Sequence, residues 1–245
     1  EEQRRIAAIL EKAANLDLLA RVSTNAQAAL NEAIFLEMFG NPAEHQGSWP
    51  VAPLGEVARL ENGDRSSNYP SGDDIKDEGI PFLSTKNIVD NRLNLASLAY
   101  ITPEKFGSLT QGKARKGDLL ITLRGTLGSC CIFSCSHETA FINAQMMLIR
   151  PGDRLLPTFL HSLLTTTAFQ AKLQSLGYGA AVRQLSSGQL SGLSIPVPPI
   201  SLQEEFRRRL GRALEVSSTC KKRHQEIKEL ISSLQSQAFC GYEPT

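Results

Sequence analysis

Residues 195–210 read IPVPPISLQEEFRRRL. An apolar, strand-like run meets Pro198-Pro199 and passes at once into charged helical sequence. Proline fixes φ at about −65° and pushes the residue before it toward extended backbone, so Pro196, Pro198 and Pro199 make a stiff joint into a helix. The chain also opens on EEQRRIAAIL (1–10), and its acid-acid-x-Arg-Arg start returns in EEFRRRLGRAL (204–214). FLEMFG (35–40) is echoed by QSQAFCG (235–241) at the far end. Similar helices flanking one insert predict a hairpin of antiparallel helices with a globule at its tip.

The periodicity agrees. Ile6, Ile9, Ala13, Leu16, Ala20, Ser23, Gln27, Leu30 and Ile34 alternate spacings of three and four, a coiled-coil seam softened at Ser23 and Gln27. Gly40 and Asn41-Pro42 stop that helix. Leu210, Leu214, Ser217, Lys221, His224, Ile227, Ile231, Leu234 and Ala238 repeat the pattern from about 202 to 240, again with a polar centre. At 1.5 Å per residue each helix would be roughly 55–60 Å long. The apolar seam positions expected to pair or to dock a partner are Ile9, Leu16, Leu30, Ile34, Leu210, Leu214, Ile227 and Leu234.

The insert is mixed. WPVAPLGEVARLENG (49–63) reads as a strand followed by a turn and a short helix or strand, and GIPFLSTKNIV (79–89) as strand and loop. KGDLLITLRGTLGSCCIFS (116–134) gives two strands joined through Gly125 to Gly128, and AFINAQMMLIRP (140–151) one more. LLPTFLHSLLTTTAFQAKLQSLG (155–177) is helical. YGAAVRQLSSGQLSGLSIPVPP (178–199) is a loop, a turn of helix and a strand. Strands with a few helices in irregular order predict α+β. The expected architecture is one mixed α/β domain at the tip of two long antiparallel coiled-coil helices, with boundaries at 1–40, 41–200 and 201–245.

The 245 residues suffice for one large domain with appendages, and 41% hydrophobic with 21% charged is ordinary for a soluble protein. No apolar run reaches the roughly 18 residues of a membrane span. No leader pattern opens the chain, and a start at Glu1 rather than Met suggests trimming. Five irregularly spaced cysteines suit reduced thiols and a cytoplasmic location. The net charge of +1 hides segregation: residues 41–78 carry eight acids against three bases, and residues 79–200 eleven bases against five acids. A basic stretch of this kind is compatible with a polyanion-binding face or with a plain solvated surface.

Familiar chemistry is missing. CCIFSCSH (130–137) lacks a second ligand pair at zinc spacing, so buried strand cysteines are expected and no metal site. GSLTQGKA (107–114) nearly spells a phosphate loop, but Ala114 stands where a magnesium-binding hydroxyl belongs, and no long helix follows. No nucleophile elbow, zinc-protease helix or glycine-rich cofactor loop is present. This favours a binding or assembly module. The polar loops STKN (84–87), LRGTLG (123–128) and GYGAAVRQLSSGQ (177–189) carry the side chains that read base edges or hold phosphates, though the same residues also build turns. Base-contact candidates are Asn87, Arg124, Thr126, Gln145, Arg183 and Gln184: the arginines can fork onto guanine, and Asn87, Gln145 and Gln184 can pair with adenine. Phosphate candidates are Ser84, Thr85, Lys86, Lys113, Arg115 and Lys116.

Taken in order, W49-P50…L54-G55-E56-V57, GIPFLSTKNI (79–88), KGDLLITLRGTLG (116–128), INAQMMLIRP (142–151) and RQLSSGQLSGLSIPVPPISLQEEF (183–206) resemble the specificity (S) subunit of type I restriction-modification systems. The resemblance covers nearly the whole chain. It implies a target-recognition domain that reads one half of a bipartite double-stranded DNA site, between helices on which methylation (M) subunits dock. It implies S-adenosylmethionine, ATP and magnesium chemistry in the M subunits and the restriction (R) subunit, and none in this chain. A full S subunit has two recognition domains, and one is present here. The chain therefore reads as a C-terminal piece, or as a half-subunit that works as a homodimer. Two other readings stay open: the recognition domain of a solitary DNA methyltransferase, and a coiled-coil adaptor whose globule binds protein.

Overall fold

Chain entry and exit lie side by side. The computed structural model describes residues 26–42, 49–177 and 183–215. Helix α1 (residues 26–39) stops at Gly40, whose φ of 78° only glycine adopts freely and whose N–H donates to Leu36 O at 2.9 Å. Strand β1 (Val51–Pro53) then pairs antiparallel with β12 (Ser194–Pro196), the strand of the proline joint. Helix α7 (residues 200–215) starts directly after Pro199, whose carbonyl accepts the N–H of Leu202 at 3.0 Å and of Gln203 at 3.2 Å.

Two compact units divide the chain. The larger is Glu32–Arg207; the described part of the other is residues 26–31 and 208–215, all helical. The larger unit takes in the end of α1 and the start of α7 because both are aromatic there. Phe35 and Phe39 meet Phe206 with centroids 5.7 and 5.4 Å apart, and Phe39 also meets Phe159 at 4.9 Å. Trp49 stacks edge-on against Phe39 and donates Nε1–H to its carbonyl at 3.2 Å. In the smaller unit Gln27 is buried and donates to Asn31 Oδ1 at 3.0 Å. Of the seam positions, Leu210 is buried, Ile34 half-buried, and Leu30 and Leu214 exposed; Ile9, Leu16, Ile227 and Leu234 lie outside the described residues.

Two four-stranded sheets form the core of the larger unit. In the first, β2 (Ala58–Asn62), β11 (Met146–Pro151), β8 (Leu119–Thr122) and β9 (Cys130–Ile132) are antiparallel neighbours in that order. In the second, the order is β6 (Ala99–Ile101), β3 (Ile80–Leu83), β10 (Thr139–Ile142) and β7 (Lys113–Arg115), and only β3 and β10 run parallel; outside both sheets, β4 (Ile88–Val89) pairs with β5 (Arg92–Leu93), and α2 (Leu54–Val57) and α3 (Pro103–Ser108) are short helices. Leu83, Ala114, Ala140 and Ile142 of the second sheet pack on Leu120, Cys131 and Leu148 of the first. The other face of the first sheet is buried too, with Ile121, Cys130 and Met147 fully covered. Strand alternation thus points Cys130 and Cys131 to opposite faces, and both are buried. Burial raises both thiols, Cys131 to about 12, so neither is a thiolate or a ready metal ligand.

Two expected elements are each split in two. The apolar run 140–151 is not one strand: Asn143 Oδ1 accepts the N–H of Gln145 at 3.1 Å, making an Asx turn that sends β10 and β11 into different sheets. The helical run 155–177 breaks into α4 (Pro157–Thr165) and α5 (Thr167–Leu176) at Thr166. Thr166 is extended and caps α5, and the Glu32 carboxylate closes the same end by accepting from Thr167 N at 2.7 Å.

Gln203 locks the joint. It is fully buried, accepts from Leu156 N at 2.8 Å, and donates to Arg154 O at 2.9 Å and to Pro198 O at 2.8 Å. One side chain thereby ties α7 to the proline segment and to the loop that opens α4.

Candidate nucleic-acid interface

Because β3 and β10 are parallel, the turn after β3 (84–87) and the corner after β10 (143–145) leave the second sheet at the same end. The Asn143 N–H donates to Leu83 O at 2.8 Å, which fastens the two together. The loop after β8 reaches the same corner, since Leu123 N donates to Gln145 O at 2.8 Å. The segment before the short helix α6 (Ser187–Ser191) joins through Leu185 N to Leu123 O at 3.0 Å and a β-bridge between Arg124 and Gln184. The loop after β2 completes the rim. Gly63 lies so close to the corner that a Cβ there would sit 2.2 Å from Asn143 O.

These loops enclose a hollow of about 500 Å³ lined by Arg65, Tyr69, Arg124, Asn143, Ala144 and Gln145. Arg65 donates Nη2–H to Ala144 O at 2.9 Å, and Arg124 donates Nε–H to Gln184 Oε1 at 2.8 Å. Arg65, Arg124 and Gln145 are exposed; Tyr69 is half-buried, with its ring against Phe82 and Phe141. Burial raises the Tyr69 phenol, partly offset by its hydrogen bond to the backbone of Ala144. Among the described residues no carboxylate lines the hollow.

The loops are braced from beneath. Asp64 is buried and accepts from Ser66 N at 2.7 Å, Thr110 N at 3.1 Å and Thr110 Oγ1 at 3.2 Å. Burial alone would raise its pKa, but the bonds from Ser66 and Thr110 outweigh it and bring the carboxyl down to about 2. Gly112 N donates to Glu61 Oε1 at 2.8 Å. The near-phosphate-loop GSLTQGKA therefore spends its anion-seeking donors on two carboxylates of the same chain. On the other side, α5 holds the Arg124 loop: Gln170 donates to Gly128 O at 3.0 Å and Gln174 to Leu127 O at 2.6 Å. Thr122 Oγ1 bonds the carbonyl of Thr126 across the turn.

The structure gathers Arg124, Gln145 and Gln184 at one place, with Thr126 exposed on the same turn and Lys86 exposed on the 84–87 turn. Arg183 is exposed next to Gln184, its Nη1 at 3.5 Å from Gln174 O. Asn87 is corrected. It is buried, its Oδ1 accepts from Ser84 N and Oγ, and its Nδ2 donates to Asn94 O and Ser97 O, so no edge remains for a base. Ser84 is its capping partner, and Ser84 and Thr85 are only half-exposed. The remaining phosphate candidates do not form one set. Lys113 lies on β7 near the corner, over the Phe106 ring at 4.8 Å, whereas Arg115 and Lys116 sit at the far end of β7 and β8, with Lys116 paired to Glu138. Asp118 and Arg150 shape that far turn: Arg150 grips Asp118 with two bonds of 2.7 Å, and Asp118 accepts from Arg115 N at 2.8 Å. Arg65 and Tyr69 are lining residues that the sequence reading missed. Among the described residues no group of three metal-ligating side chains occurs, and no helix is long and apolar enough to cross a membrane.

Known proteins bear on this geometry. A family model described as the type I restriction modification DNA specificity domain matches residues 46–229. The chain belongs to this family. It is 27% identical over 174 residues to the EcoBI specificity subunit of Escherichia coli, covering 69% of this chain and 36% of that protein. It is 20% identical over 197 residues to the EcoKI specificity subunit of Escherichia coli K12, with 79% and 42% covered. The crystal structure of the HsdS subunit from Thermoanaerobacter tengcongensis superposes with a TM-score of 0.60 at 20% identity, over 96% of this chain and 56% of that one. The likeness carries the mixed α/β fold. This type I specificity chain spans 36–42% of the length of those two Escherichia coli relatives. The hollow opens between loops of the matched region.

Proposed function

We propose that this chain is a DNA-recognition part of a type I restriction-modification complex. The unit Glu32–Arg207 reads one half of a bipartite double-stranded site, and the flanking helical segments form the coiled-coil spacer that holds M subunits. The chain performs no chemistry of its own; S-adenosylmethionine, ATP and magnesium belong to the M and R subunits, in the cytoplasm. The observation that carries this reading is the braced hollow where Arg65, Arg124, Gln145 and Gln184 converge, with no carboxylate in its lining among the described residues, in a chain of the specificity family. Donors of fixed direction on rigid loops are what base-edge readout needs. Lys86 and Lys113 flank the same sheet end, where phosphate contacts would set register.

The test is co-expression of the full chain with M subunits of its system, followed by sequencing of methylated sites in genomic DNA. A short, constant motif is the expected result. An inverted pair of identical half-sites shows the chain acting as a homodimer. A complex that forms but leaves DNA unmodified, and that binds no duplex in a salt-dependent way, overturns the reading.

A further inference from the structure

We infer that the hollow selects a guanine, read by Arg124 with Gln184 as its positioning residue; the inference rests on the DNA-recognition reading above. Arg124 Nε is committed to Gln184 Oε1 at 2.8 Å, and the backbone bridge between the same two residues fixes both ends of that contact. Leu185 N to Leu123 O, at 3.0 Å, repeats the tie one residue along. The guanidinium is therefore aimed by its inner nitrogen, while Nη1 and Nη2 have no protein partner among the described residues. A fork of two parallel donors matches the O6 and N7 acceptors of guanine in the major groove.

The rest of the lining agrees. The side-chain amide of Gln145 and Nδ2 of Asn143 add further donors, and Arg65 adds a second guanidinium anchored on Ala144 O. Among the described residues no carboxylate, the usual acceptor for the N4 amino group of cytosine, lines the hollow. Gln184, whose residue type alone suggests an adenine reader, has its acceptor oxygen turned to Arg124. An adenine contact needs that oxygen for the N6 amino group.

The experiment is selection of the full chain on a pool of duplexes with a randomised core at low salt, sequenced after several rounds, for the native chain and for R124K, Q184A and Q184E. The native chain is expected to enrich a motif with one invariant guanine. R124K keeps the charge but not the fork, and should relax that position by roughly 5- to 150-fold while the other positions stand. Q184A should relax the same position by a smaller factor. Q184E keeps an acceptor for Nε and should restore it, which a merely structural role for Gln184 does not predict. An enriched motif without an invariant guanine, or one that R124K leaves intact, overturns the guanine assignment and spares the DNA-recognition reading. No enrichment of any sequence, by the chain alone or assembled with its M subunits, overturns both.

Discussion

Replacing Gln203 with leucine tests what makes the proline joint stiff. Leucine has similar volume and suits a helix, so the change removes hydrogen bonds more than packing. Three backbone groups lose their partner: Leu156 N, Arg154 O and Pro198 O. The bond to Pro198 is buried, and the other two lie where water has partial access. A buried orphan costs about 1–3 kcal/mol and a hydrated one a fraction of that, so the expected loss is about 3 kcal/mol. For a unit of this size that lowers Tm by roughly 6–12 °C. Circular dichroism melts of the full chain give the number. The double variant P198G, P199G keeps all three bonds and should lose only about 1–2 kcal/mol, through the freer unfolded chain. At a temperature where both variants are folded, Q203L should also uncouple DNA binding from methylation in the assembled complex more than the double variant does. A Q203L chain that melts within 2 °C of the native one would refute the idea that this side chain, and not proline alone, sets the joint.

Three further outcomes are expected. Asp64 is held at about 2 against an ordinary 3.8, so it contributes about 2 kcal/mol that is complete above pH 4 and is lost as pH falls toward 2; acid titration of D64N should lack that branch, and its loosened Arg65 loop should weaken discrimination between DNA sequences. His161 is buried with Nε2 near Asn91 O at 3.1 Å and Cys130 O at 3.2 Å, and burial lowers its pKa below 6.5. The unfolded chain takes up this proton first, so stability falls as pH drops below 6.5, and H161Q, which keeps an N–H donor but does not titrate, should flatten urea-measured stability between pH 6.5 and 5. Removing the charge in D118N takes the counter-ion from half-buried Arg150, which keeps only its 3.3 Å bond to Lys113 O, and should cost about 2–3 kcal/mol by chemical denaturation, with base selectivity unchanged because Asp118 and Arg150 lie at the ends of β8 and β11 away from the Arg124 loop.

Much of this was legible in the sequence. Apolar runs bounded by glycine gave β8 and β9, and Gly40 marked the end of α1, because those signals are local. The split at Asn143 was hidden because INAQMM is apolar on both sides of a single polar turn residue. Asn87 shows the limit of residue type. Asparagine both reads adenine and caps turns, and only the four bonds around it tell which. Arg65 and Tyr69 were missed since they lie far along the chain from Arg124 and meet it only through the corner between the sheets. Gln203 was illegible for a similar reason: it stands among charged residues at a helix start, the usual setting of a solvated side chain. Arg124 and Gln184, in contrast, were both singled out, though the bond that gives them different roles is tertiary.

The contact of Phe39 with Phe206 closes a loop of about 165 residues, and polymer statistics put the length-dependent entropy of such a closure on the order of 4–5 kcal/mol. The fold of the inserted unit supplies that closure in advance. Within the unit, the end of α1 and the start of α7 are thereby held at a high effective concentration for each other. A substitution that melts the insert therefore also releases the Phe39–Phe206 contact, at positions it never touches.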